Sequence, residues 1–450
     1  MAKFNREKAL RKIEFKRKWR NYSRYVYIAV PCVLCCLLCL YFAYSKFFVS
    51  EEQAVIRTTV GDFIYGDIVI SAYIDGEYSN TIPGKDDGYI VEKVSCDNDA
   101  IGKWNSDDWG IMVTDLSKRT KCNVYFKKKP DSKVPEIIAQ LDTSGKCPTV
   151  NDDGSVNVTG VEATNGYLCK AKDAYGDSYY YRGNVTNNYV KFADKYWRIV
   201  RINGDGTVRV IYDGTSAHAN GEASADRQIG TSAFNSSYND NAYVGYMYGK
   251  TGASTYADAH ANTNNSTIKT YIDDWYKTNI VGTTNEQYLA DNIFCNDRSM
   301  AGNNSGTGAG TSVTYYRWYN GPWESENYSK YNKKMMLTCS QKNDAFTVSD
   351  TTNGNGALTY PVGLLSTDEI ALAGGWNAAN SGYYLYSGQV WWASSPYYFN
   401  GNYAYVRIVY SNGNALSFSN VNVSGGVRPV FNLKAEVLLQ GSGTAEDPYR

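Results

Sequence analysis

Histidine is nearly missing from this chain: His218 and His260 are the only two in 450 residues. Cysteine does not make up the deficit, because none of the six cysteines beyond residue 49 stands in a CxxC pair. With neither imidazoles nor paired thiolates to draw on, a zinc site is not expected, and no cofactor is implied. The bulk of the chain also lacks a surplus of positive charge. Beyond residues 1–24 and Lys46, 34 bases face 43 acids, a net of −9. Phosphate backbones are gripped by clustered Lys and Arg, so this balance argues against DNA or RNA as a partner. The glycines of residues 301–313 (AGNNSGTGAGTSV) do not join a strand to a helix, so they read as a loop and not as a nucleotide cradle.

The missing basic charge is concentrated at the N-terminus. Residues 1–24 hold ten Lys or Arg against Glu7 and Glu14, and the twenty residues Tyr25–Tyr44 then carry no charge at all. That length matches the ~20 residues a helix needs to cross a bilayer core. Tyr25 and Tyr27 at one end, and Tyr41, Phe42 and Tyr44 at the other, suit the two interfaces. Tyr25–Val49 is therefore expected to be a single uncleaved transmembrane anchor contacting membrane lipid. Residues 1–24 become a cytoplasmic tail, and the chain after Phe48 becomes extracellular. The competing reading is a secretory signal cut near Ala43-Tyr44-Ser45, whose apolar core is ordinarily only ~7–15 residues.

Past the anchor, aromatics make up 14% of the chain and Tyr alone numbers 41. That is ample apolar surface for cores, and Tyr with Asn, Ser and Gly is also the palette of binding loops. Six cysteines remain, Cys96, Cys122, Cys147, Cys169, Cys295 and Cys339. An even number in an exported region suggests disulfides, and pairing nearest neighbours gives 96–122, 147–169 and 295–339 among the fifteen arrangements possible. Residues 56–129 read as a small all-β domain, with VISAYI running into an Asp75-Gly76 hairpin turn. Residues 130–164, with Pro130, Pro135 and polar neighbours, read as a linker. NYVKFADKYWRIVRIN and TVRVIYDG then suggest an antiparallel meander turning at Asn203–Gly206. Ile268, Tyr271, Ile272, Trp275 and Tyr276 share one helical face within Asn265–Ile280. Ser366-Thr367-Asp368-Glu369 is a capping box opening a short helix, and GVRPVFNL offers a last strand. Few helices, many strands and long polar loops make an α+β class.

Trp391-Trp392-Ala393-Ser394-Ser395-Pro396, Gly426-Val427-Arg428-Pro429, Gly441-Ser442-Gly443-Thr444 and Asp447-Pro448-Tyr449 together resemble a known C-terminal signature. It is that of uncharacterised, membrane-anchored surface proteins of Gram-positive gut bacteria with domains of unknown function. The resemblance covers roughly residues 165–450. More distantly, a Gly-x-Arg late in a Trp- and Gly-rich domain is similar to the formylglycine-generating-enzyme branch of the C-type-lectin-like fold. That likeness implies a lectin-like α+β head over 165–450 whose WRIVRI strand lies near the GVRPVFNL strand. The enzymes of that branch use either a close C-terminal cysteine pair for copper or three histidines for iron. Here Cys295 and Cys339 lie 44 residues apart and only two histidines exist. No catalytic residue is therefore assigned, and the expected function is ligand binding without chemistry, in adhesion or recognition. An extracellular enzyme of the formylglycine-generating-like fold or a hydrolase, and a self-assembling structural envelope protein, are the alternatives. Residues 393–433 contain no Lys, Glu, Gln, Met or Trp, and Tyr397, Tyr398, Phe399, Asn400, Asn402, Tyr403 and Tyr405 cluster within them. These residues are the expected binding face for a glycan or protein ligand, offering flat rings beside amides that both donate and accept.

Overall fold

A computed structural model describes residues 14, 16–18, 63–65, 68–106, 108–115, 119–128, 131–302, 305–319 and 334–450. The chain divides into two compact units, Met1–Lys129 and Pro130–Arg450. The structure is mostly β, 34% strand against 13% helix, which corrects the α+β expectation for the chain and for its head. The helices that form are short, and strands supply most of the regular structure. The expected span Tyr25–Val49 lies outside the described residues. Among the described residues, no helix is long and apolar enough to cross a membrane. The single-pass anchor and the cell-membrane location are corrected accordingly and are not carried further.

In the first unit, β1 (Phe63–Tyr65), β2 (Ile68–Ile74), β3 (Glu77–Ser79), β4 (Tyr89–Cys96) and β7 (Thr120–Lys128) form one sheet. A separate ribbon pairs β5 (Ile101–Asn105) with β6 (Gly110–Thr114). Asp75 and Gly76 both take positive φ, 50° and 88°, the conformation a tight β2–β3 hairpin requires. Strand β7 alternates strictly enough that Cys122, Val124 and Phe126 are buried beside Ile68, Ile70 and Ala72. Trp104 and Trp109 pack against this core, edge-to-face with each other at 5.3 Å. Cys96 sits directly opposite Cys122 on β4 and β7, and the two are bonded.

Among the described residues, the second unit holds two six-stranded sheets. The first runs β25 (Val430–Leu433), β13 (Val208–Gly214), β12 (Lys195–Ile202), β10 (Gly176–Gly183) and β9 (Gly166–Asp173), with β11 (Tyr189–Phe192) also on β12. The second runs β14 (Gly230–Ala233), β24 (Ser424–Val427), β21 (Trp391–Phe399), β22 (Ala404–Val409) and β23 (Ser417–Asn420), with β18 (Thr314–Tyr315) also on β21. Short ribbons pair β8 (Val156–Asn157) with β19 (Lys334–Met335), β15 (Met247–Tyr248) with β16 (Asn264–Asn265), and β17 (Phe294–Cys295) with β20 (Ala345–Phe346). GVRPVFNL is thus two strands in two sheets, not one. The break falls at Arg428-Pro429, where proline has no N–H for a ladder. The WRIVRI strand pairs with β13, and β13 in turn pairs with β25.

Trp197 stacks on Phe431 at 4.6 Å in the main core, joined by Ile199, Val210, Trp391 and Trp392. The helix Thr267–Asn279 buries Ile268, Ile272 and Tyr276 and is capped by Ser266, whose side chain accepts the Lys269 N–H. The capping box of Ser366 and Glu369 is present on Thr367–Leu372, a helix buried on every side. The stretch read as a linker belongs to this unit: Val134 and Ile137 are in its core, and Leu141 bridges Leu168. The bonds Cys147–Cys169 and Cys295–Cys339 complete the expected disulfide pairs.

Candidate aromatic binding face

The expected face spans the end of β21, the turn 400–403 and the start of β22. Pleating sends neighbouring side chains to opposite sides, so a run of seven rings and amides cannot all face one way. Phe399 is fully buried and Tyr397 is 5% exposed. Both were expected to meet ligand, and both are placed in the interior. Tyr397 is held between Phe418, whose ring centroid lies 4.1 Å away, and the fully buried Arg407 guanidinium at 4.3 Å. Asn400 is occupied locally, where its Oδ1 accepts the N–H groups of Asn402 and Tyr403 at 2.9 and 2.7 Å. That bond pattern and Gly401 at φ 94° shape the turn.

The remaining expected residues do form a surface. Tyr398 and Tyr405 face one another across β21 and β22, stacked at 4.7 Å and 12°. Burial comes first, and the neighbouring Tyr398 second, in pushing the Tyr405 phenol above its ordinary value, which keeps it a neutral O–H. Tyr403 is 39% exposed and Asn402 is exposed at the tip.

Residues far away in sequence complete the array. Tyr238 stacks on Tyr403 at 5.0 Å and 14°, and Tyr403 lies 6.5 Å from Tyr405. Phe418 of β23 lies 5.8 Å from Tyr405, while Tyr319 lies 5.4 Å from Tyr398 and 4.3 Å from Tyr315. Sequence reading missed Tyr238, Tyr315, Tyr319 and Phe418, because only the pairing of β18 and β23 onto the sheet, and the bond from Ala404 N–H to Tyr238 O, bring them near. The one signal in the residues is the alternation in Ala415–Ser419, which leaves Phe418 flanked by serines on a strand whose partner face was already aromatic. At the open edge of the array, Tyr238, Tyr403 and Phe418 are all exposed.

The carboxylates are spent differently. Asp213 is fully buried among arginines, with Arg227 at 2.7 Å, Arg428 at 3.0 Å and Arg198 at 3.9 Å. Asp173 and Glu369 share Arg201, and Glu369 also meets Arg209 at 3.1 Å. Burial acts to raise the Glu369 carboxyl, yet Arg209, Arg201 and the Ser366 N–H outweigh it and hold it below its ordinary value. Asp297 and Asp368 both bind Arg317. His218 lies between Glu222 and Asp226, at 2.7 and 3.0 Å, whereas His260 is buried against Tyr256 and kept neutral by burial and by Arg298. Among the described residues, no group of His, Cys, Asp and Glu is arranged to hold a metal.

The C-terminal signature motifs turn out to be architectural. Arg428 donates to the Leu385 and Tyr212 carbonyls as well as to Asp213. A Cβ on Gly426 would fall 2.7 Å from the Val390 carbonyl oxygen, so only glycine lets that strand approach. Gly443 accepts the Tyr189 N–H, and Tyr449 pairs with Tyr189 and Lys191, which ties the chain end to β11.

A family model described as Domain of unknown function (DUF6273) matches residues 264–435. That stretch contains Tyr398, Tyr403, Tyr405 and Phe418 but not Tyr238. No curated protein and no solved structure matches the chain.

Proposed function

We propose that the Pro130–Arg450 unit is a recognition module: it holds a glycan or protein ligand on its aromatic face and performs no chemistry on it. The observation that carries this reading is the continuous array from Tyr238 through Tyr403, Tyr405 and Tyr398, with Phe418 beside it, open to solvent at Tyr238, Tyr403 and Phe418. Exposed rings fixed by mutual stacking lose little entropy on binding and present flat apolar faces, which suits both sugar rings and protein side chains. The buried carboxylates supply a supporting argument. Those of Asp173, Asp213, Asp297, Asp368 and Glu369 are bound to arginines and are not poised as an acid and base pair. The full chain applied to glycan and protein arrays tests the reading. Tyr403→Ala is expected to weaken a specific ligand by ~2 kcal/mol. A ligand whose affinity ignores Tyr403, Tyr405 and Phe418 substitutions places recognition elsewhere, and turnover of the ligand refutes the non-catalytic reading.

A further inference from the structure

We propose that the aromatic face continues into a second, polar subsite, and that the two together take a neutral oligosaccharide. The inference rests on the reading of the face as a binding surface and adds the class and reach of the ligand.

The second subsite is a cleft of about 450 Å³ between the segment 232–236 and the first turns of the helix Thr267–Asn279. Its size falls in the ~300–1,000 Å³ range of small-molecule sites. Tyr248 and Tyr271 contribute rings to its lining, and Ser236 and Asn265 contribute hydroxyl and amide groups. Asn235 is the telling residue. It lines the cleft, it is only 3% exposed, and its Nδ2 group has no hydrogen-bond partner among the described residues. A buried amide donor left without an acceptor is costly, and buried polar groups in folded chains are almost always paired. The Nδ2 atom is itself closed to water-sized contact, so a ligand oxygen in the cleft becomes its acceptor once the side-chain amide turns outward.

The chemistry of the lining selects the ligand. An anion is disfavoured because the helix start does not offer its N–H groups. Ile268 N–H already donates to Phe234 O and Lys269 N–H to Ser266 Oγ. The charge in the lining is the Asp274 carboxylate, which repels anions as well. An apolar segment would leave the amides and hydroxyls unpaired. A sugar hydroxyl both accepts and donates, so it can take the Asn235 N–H and give its own proton to Asp274. On the aromatic side the cluster is also neutral, since Arg407 beneath Tyr397 is fully buried. Sugar C–H faces would lie on Tyr403, Tyr405 and Phe418, and the hydroxyl rims would meet Asn402.

Backbone hydrogen bonds fasten the two subsites together. Asn235 N–H donates to Val421 O, Val421 N–H to Ala404 O, and Ala404 N–H to Tyr238 O. Asn235 and Tyr238 are three residues apart, which limits the chain between them to about 10 Å. A single sugar ring does not fill a surface reaching from Tyr403 past Tyr238 to Asn235, whereas a short linear chain does.

The test is calorimetric titration of the full chain with cello-, malto-, manno- and N-acetylchito-oligosaccharides from mono- to hexasaccharide. At least one series is expected to gain about tenfold or more in affinity with length. Tyr403→Ala should weaken every member of that series. Asn235→Ala should remove the gain with length while leaving the shortest binding member nearly unchanged. The Asp274 side chain is exposed, so Asp274→Asn does not threaten the fold and guards against misreading a folding defect at Asn235; it should act in the same direction. If Tyr403→Ala weakens binding but no gain with length appears and both cleft variants bind as the parent does, the second subsite is refuted and the aromatic face stands. If no saccharide binds while a protein ligand depends on Tyr403, the carbohydrate assignment falls alone. If no ligand depends on Tyr403, both readings fall.

Discussion

Phe399 and Tyr403 lie four residues apart on one hairpin, and substituting each by alanine separates packing from recognition. Phe399 is fully buried in the main core. Removing its ring deletes transfer energy and leaves a cavity that its neighbours only partly fill, a loss of ~3–5 kcal/mol. Tyr403 is 39% exposed, and its stacking partner is the equally exposed Tyr238 at 5.0 Å. An aromatic pair contributes ~0.5–1.5 kcal/mol beyond area burial. With much of both rings already in water, Tyr403→Ala should cost about 1 kcal/mol. Urea unfolding reads the difference as a shift in midpoint at constant slope. The chain has two units, so the transition of Pro130–Arg450 must be followed by itself for the two-state treatment to apply. Affinity should show the opposite order: folded Phe399→Ala keeps its ligand, and Tyr403→Ala loses ~2 kcal/mol of binding. Equal destabilisation by the two substitutions would refute the division of this hairpin into a core side and a ligand side. So would a loss of affinity in folded Phe399→Ala as large as that in Tyr403→Ala.

The buried charges and the disulfides give further expected outcomes. Asp213→Ala strands Arg227 and Arg428 in the core without their carboxylate and should cost ~3–5 kcal/mol by denaturant titration. Asp447→Ala, which breaks an exposed pair with Arg450, should cost far less by the same titration, and an equal loss would contradict the contrast between buried and exposed pairs. The folded Glu369 carboxyl lies below its ordinary 4.5, so its stabilisation is complete above that value and is lost as pH falls through and below it. Glu369→Gln should therefore lower stability at neutral pH and flatten the acid limb of the stability profile, and an unchanged acid limb would contradict the ion pairs drawn here. Replacing Cys96 and Cys122 together by serine opens a loop of 26 residues and should lower the stability of the Met1–Lys129 unit by ~3 kcal/mol. The other unit's calorimetric transition should not move.

Much of the local structure can be read directly from the residues, because its causes lie within a few positions. Asp75-Gly76 demands a tight turn, Ser366 and Glu369 cap a helix, and the apolar spacing from Ile268 to Tyr276 makes one buried stripe. Cysteine pairing followed sequence proximity because each partner lies on a neighbouring segment of the same unit. Which side of a strand meets solvent is a different kind of fact. Alternation says that Phe399 and Tyr398 point apart, but which of them is inside depends on what covers each side of the sheet. The same holds for GVRPVFNL, whose two halves serve different sheets once Arg428 is drawn to Asp213. It holds too for residues 130–164, whose Val134 and Ile137 gain by burial only when a core is present to receive them. The aromatic face is the clearest case: Tyr398, Tyr403 and Tyr405 were visible as a cluster, but Tyr238, Tyr319 and Phe418 join them only through strand pairing and backbone hydrogen bonds across long stretches of chain. Local sequence thus determined the turns, caps and rings available, and the burial of one sheet face decided which of those rings were left to meet a ligand.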